Sequence, residues 1–221
     1  MAIIDFISNP SNAAEVIALI IALCTLSSKK VGYWSYFILY LCVTILIEVA
    51  GYYFRTVLKQ PNYQFYNFFM VFQALFFSFL LYKFHGADKM RFFVPLFFVQ
   101  FLTFFMLEGV ANSFAAYHKY SRQFLSILIV FYCTIFYYSI LKVDTIKTPL
   151  KYPPFWIVTG LFFFYFGSEV MFAFYDRVAQ IKLSGNISFY TLVMGCLSCI
   201  LYGSWIIGFI CKRKQMPSSS Q

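Results

Sequence analysis

Residues 188–211 read SFYTLVMGCLSCILYGSWIIGFIC, a run with no charged side chain from end to end. Wound as an α-helix, such a run reaches past the ~30 Å hydrocarbon core of a bilayer, which takes roughly 20 apolar residues to cross. Strands of a membrane barrel alternate lipid-facing and lumen-facing side chains over about ten positions. This run is apolar without alternation, so a membrane-crossing helix is the expected form.

Working outward, the same reading recurs along the chain. Seven segments qualify, at about 12–28, 33–54, 63–82, 92–111, 123–141, 154–175 and 188–211. The 221 residues are 62% hydrophobic and 11% charged, against about half and a quarter in a soluble globular protein. Water alone could not accommodate that much apolar surface, so lipid must cover much of it. The expected fold class is all-α: a polytopic membrane protein built as a seven-transmembrane-helix bundle. The short loops leave no room for a soluble domain, making residues 1–211 one transmembrane domain and 212–221 a basic, disordered cytoplasmic tail.

The net charge of +9 does not indicate nucleic acid. The basic residues sit in short clusters beside the spans, as in SSKK (27–30), KFHGADKMR (83–91) and ICKRK (210–214), and no basic face could follow a duplex. Such clusters are topology signals. With the N-terminus outside, the inner side holds Lys29, Lys30, Lys83, Lys89, Arg91, Lys142, Lys147, Lys151, Lys212, Arg213 and Lys214. The outer side holds Arg55, Lys59, Lys119, Arg122, Arg177 and Lys182. Eleven against six gives an N-out, C-in orientation. The N-terminus has neither the basic stretch nor the cleavage site of a secretory signal. Asn12 and Glu15 have capping-box spacing, which starts the first span near residue 12.

An odd number of spans is compatible with a three-plus-one-plus-three parallel repeat. Glu48-Val49 then aligns with Glu169-Val170, and Tyr52-Tyr53-Phe54-Arg55 with Phe174-Tyr175-Asp176-Arg177. Downstream, NYQFY (62–66) aligns with NISFY (186–190) after a three-residue shift. Aromatics make up 24% of the chain, so chance accounts for part of the match.

Ionisable groups inside a membrane are costly and usually face a bundle interior or a watered cavity. In the N-out reading Glu48 and Glu169 lie just outside the midpoints of the second and sixth spans. Glu108 and Asp176 lie at outer ends, and Glu15 opens the first span. Gln73 and Gln100 sit at the middles of the third and fourth spans. Acids above a floor of glutamines suggest an outward-facing polar cavity. Glu48, Glu169, Gln73, Gln100 and Glu108 are therefore the candidate ligand- or proton-binding residues. The bland alternative is a carboxyl that clamps neighbouring helices through Ser or Tyr. Gly167-Ser168 and Gly203-Ser204 read as small surfaces for helix approach.

Several chemistries fall away at this level. Cys196 and Cys199 have redox-motif spacing but lie inside a span, far from where an electron carrier would reach them. The two histidines, His85 and His118, are in loops, which leaves no intramembrane Ser–His pair and no zinc motif. Cys211 beside Lys212-Arg213-Lys214 is placed for acylation without requiring it. Asn186-Ile187-Ser188 matches a glycosylation sequon too near a span to be used readily. No enzyme activity, no cofactor, no metal and no nucleic-acid partner is expected. The expected partners are the lipid bilayer and a signalling protein at the inner face.

Microbial rhodopsins share the span count, but their retinal lysine has no counterpart in the last span. The sugar facilitators of the SWEET type share length and orientation but carry paired proline hinges, whereas Pro95 is the only proline well inside a span here. The segment FYNFFMVFQALFFSFLLYKF (65–84) resembles small stand-alone seven-helix membrane proteins of Bacteroidetes-type bacteria, some of which look like sensory modules. That resemblance implies a bacterial inner membrane and a receptor-like or sensory role. A small-solute transporter or proton channel using Glu48 and Glu169, and a structural or assembly subunit, are the alternatives.

Overall fold

The computed structural model describes residues 9–84, 94–112, 114–142, 148–178, 180–181 and 188–215, and is helical with no strand among them. Seven helices follow in chain order: α1 Pro10–Leu26, α2 Tyr36–Thr56, α3 Tyr63–Phe84, α4 Val94–Ala111, α5 Lys119–Lys142, α6 Pro153–Ala173 and α7 Phe189–Lys214. Short 3-10 stretches cover Lys29–Ser35 and Pro149–Lys151, and one helical turn, Tyr175–Val178, follows α6. Five apolar segments are long enough to cross a membrane: α3, α5, α6, α7 and Val31–Thr56, which takes in α2. The remaining two apolar helices are shorter. This is a multi-pass membrane architecture.

Local chemistry explains the helix starts. α1 begins at Pro10, not at the expected Asn12. Proline has no N–H to leave unpaired and its φ is preset for helix, so it occupies the first turn. Asn9 caps it, its side chain accepting from the Ser11 amide at 3.1 Å. The expected Asn12–Glu15 capping box is thereby displaced: Glu15 lies in the second turn and is buried. Pro153 and Pro154 open α6 after an extended Tyr152. Ser188 caps α7 by accepting from the Thr191 amide at 3.2 Å. Pro95 falls in the first turn of α4 rather than deep in a span. Before α2 the chain turns through Gly32 at φ +65°, a left-handed conformation that suits glycine.

The chain forms two compact units. One comprises Met1–Cys42 with Ile140–Gln221, the other Val43–Ser139. In the first, α7 packs on both α1 and α6. Its core is aromatic: Phe37 lies 5.2 Å from both Trp205 and Phe209, centroid to centroid, and 5.6 Å from Trp34. Close approach of α6 and α7 depends on Gly160, where a Cβ would stand 2.9 Å from the Leu201 carbonyl oxygen and 3.1 Å from Ser204 Cβ. Ser204 therefore serves as a small surface, as expected, but against Gly160. Gly167 packs on Leu197, and Gly203 faces open space.

α7 also runs further than its apolar stretch. Lys212, Arg213 and Lys214, assigned above to a disordered tail, form its last turn, where cations suit the helix C-terminus. Lys212 Nζ lies 5.8 Å from the Trp34 ring centroid, and Gln215 Nε2 donates to the Lys151 carbonyl at 2.7 Å.

In the second unit α3 packs on α4. Ring contacts bring in α5: Phe97–Tyr132 at 5.2 Å and Phe104–Phe124 at 4.8 Å from α4, and Phe84–Phe136 at 6.2 Å from α3.

Candidate functional site

The site is built at the end of the second unit where α2 and α4 finish and α3 and α5 begin. Glu48 lies on α2, two turns before its end, and is half-buried. Tyr66, in the first turn of α3, donates its hydroxyl to Glu48 Oε2 at 3.2 Å. The contact depends on Gly51: a Cβ there would fall 2.7 Å from the Tyr66 hydroxyl oxygen. Asn62 closes the same corner, its Nδ2 donating to the Gly51 carbonyl at 3.1 Å. Carboxylate, glycine, phenol and amide thus form one clasp between α2 and α3. The Arg55 and Arg122 guanidiniums both act electrostatically on Glu48, and Arg122 Nη1 donates to the Tyr117 hydroxyl at 3.4 Å.

Glu108 has a different job. It lies at the end of α4, buried, and accepts from the amides of Tyr120 at 3.1 Å and Ser121 at 2.6 Å. The Ser121 hydroxyl donates to it as well. The first amides of a helix lack intrahelical acceptors and carry partial positive charge, so a carboxylate placed there is a strong cap. Glu108, expected among the binding residues, is spent on starting α5.

Asn67 holds the connection between α4 and α5. Its Nδ2 donates to the Ala116 carbonyl at 2.9 Å and its Oδ1 accepts from the His118 amide at 3.1 Å. Phe114 sits in the left-handed region at φ +53°, an arrangement that costs a non-glycine residue about 1–2 kcal/mol. Gly109 gives its ring room, since a Cβ there would come within 2.2 Å of it.

The remaining candidates are placed differently. Gln73 is half-buried in the middle of α3. Gln100 is exposed, on the face of α4 that also presents Leu96, Val99, Thr103 and Leu107, so it is no floor for a buried pocket. Its polar side chain sits there because one helix turn carries outward- and inward-facing positions alike, and a run this apolar gives no period to tell them apart. Glu169 is half-buried on α6, in the other unit from Glu48. Next to Gln100's face the second unit has an apolar groove of about 650 Å³, lined by Leu102, Thr103, Met106, Leu107, Val110 and Ala111. Among the described residues no three His, Cys, Asp or Glu side chains gather as a metal site would need.

Sequence reasoning missed Gly51, Tyr66, Asn67, His118 and Arg122. A signal was available for two of them. Gly51 follows Glu48 by three residues, which is one helix turn, and Asn67 is an amide within an otherwise aromatic run. Comparison with family models, with curated proteins and with solved structures returns no match, so the site stands on its own geometry.

Proposed function

We propose that this chain is a receptor-like integral membrane module that binds a small polar ligand at the outer end of its second unit. One observation carries the reading: the half-buried Glu48 carboxyl holds a phenol on the neighbouring helix, at a corner that also holds the side-chain amide of Asn62. A clamp needs only the pair. With the amide added, carboxyl, phenol and amide make a polar site able to orient a ligand that carries both donor and acceptor groups.

The reading takes all seven helices as spans, N-out and C-in, in a bacterial inner membrane. It takes the two shorter helices as spans because each is apolar on the whole and the positive charge is then asymmetric. The packing of α1 with α6 and α7 in one unit lends no support to a three-plus-one-plus-three repeat. Signal output would pass to a protein at the inner face. The activity is recognition without covalent chemistry.

Sided cysteine labelling tests it. In a background with the six cysteines replaced, single cysteines at Asn62, Tyr66 and Gln73 are exposed to a membrane-impermeant maleimide from each face, with Gln100→Cys as the lipid-side control. Labelling of 62 and 66 from the outside alone is the expected result. Labelling of one position from both faces would favour transport, and no labelling would reduce Glu48 to a structural clamp.

A further inference from the structure

His118 is fully buried, yet among the described residues neither of its ring nitrogens has a hydrogen-bond partner. A buried imidazole is normally anchored through at least one nitrogen. Here the ring lies between two phenyl groups, with centroids 4.6 Å from Phe105 and 5.7 Å from Phe114. We propose that His118 is a pH-sensitive latch: neutral, its ring seals the α4–α5 connection, and protonated, it leaves and frees the Ala116 and His118 backbone from Asn67.

The enclosure can hold only one of the two forms. Neutral imidazole fits as a flat, largely apolar ring. Imidazolium would bury a positive charge and two N–H donors that find no acceptor among the described residues. A phenyl face does attract a cation, but both rings are tilted, at 54° and 44°, and neither replaces a hydrogen-bond acceptor.

The surrounding charges do not rescue it. From α4, the Glu108 carboxylate is already engaged by Tyr120 and Ser121. From α5 come two more cations, Lys119, whose Nζ lies over the Tyr120 ring at 4.9 Å, and Arg122. From the connection itself comes the Tyr117 phenol, which acts electrostatically on the Tyr66 phenol of α3.

Release has a defined path. The His118 amide and Ala116 carbonyl are both held by Asn67, so expelling the ring pulls on the two bonds together. Phe114, whose ring rests over Gly109, is in the left-handed region and relaxes when the connection opens. That the opened connection also draws Tyr117 from Arg122, and so changes the field at Glu48, rests on the function proposed above. The latch itself does not.

Hydrogen–deuterium exchange of the full chain in lipid nanodiscs at pH 7.5 and 5.0, normalised to the intrinsic rate at each pH, tests the latch. The His118 amide should lose protection by about tenfold or more at the lower pH, while those of Tyr120 and Ser121, held by Glu108, report on the cap. His118→Phe, which keeps a ring and has no group to protonate, should abolish the change, and His118→Leu serves the same purpose if that variant does not fold. Protection that is flat in the wild type overturns the latch, as does a loss that persists in the variants, which would assign the response to Glu108. The readout involves no ligand, so failure of the cysteine-labelling experiment would leave the latch standing.

Discussion

At the scale of single residues, two carboxylates with similar surroundings in the sequence have been given different work by their partners. Glu48 meets a phenol and the field of two arginines, whereas Glu108 meets the amides of a helix start. Their variants should differ accordingly. Tyr66→Phe removes one donor and should cost about 0.5–1.5 kcal/mol in reversible unfolding, with Glu48→Gln coupled to it in a double-mutant cycle. Additive effects would show that the bond carries no weight. Glu108→Ala should cost more, about 1–3 kcal/mol, because it leaves amides of α5 buried without an acceptor. Exchange measured on the Tyr120 and Ser121 amides would locate that loss, and unchanged protection there would contradict the cap.

At the scale of elements, glycine decides how closely helices approach. In lipid there is little hydrophobic drive between helices, and packing of small residues carries more of the association. Gly160→Ala should destabilise the α6–α7 pair by about 1–3 kcal/mol, since its Cβ would meet a backbone oxygen that cannot swing aside. Gly203→Ala on the same helix pair has nothing within 4 Å and should be neutral or gain about 0.4–1 kcal/mol from a stiffer unfolded chain. Thermal unfolding of both variants side by side discriminates the two sites, and equal effects would refute the packing assignment. Gly51→Ala belongs with the first: it should displace Tyr66 from Glu48, so that a Tyr66→Phe change made on top of it costs nothing further.

At the scale of the whole molecule, the order of the spans along the chain differs from their grouping in space. The first unit joins the start of the chain to its last third, while the second is one continuous stretch. In the proposed N-out, C-in orientation, a cysteine at Leu58, after α2, and one at Gln215, after α7, should label with an impermeant maleimide from opposite faces of intact vesicles. Labelling from the same face would invert the assignment of one end and remove the outer position claimed for Glu48.

The sequence by itself determined the all-helical, multi-pass architecture, because apolar runs of this length satisfy their backbone in lipid only as helices and need no tertiary partner to do so. It located the helices to within a few residues, apart from ends governed by local chemistry, such as Pro10 with its cap Asn9 and the basic turn of α7. It also singled out Glu48. What it could not resolve was which side of each helix faces inward, since uniformly apolar runs have almost no periodicity to read. Only the tertiary structure therefore separated the exposed Gln100 from the half-buried Gln73, turned Glu108 into a cap, and brought Tyr66 to Glu48 across Gly51. Those assignments depend on contacts between residues distant in the chain, and no local pattern encodes them.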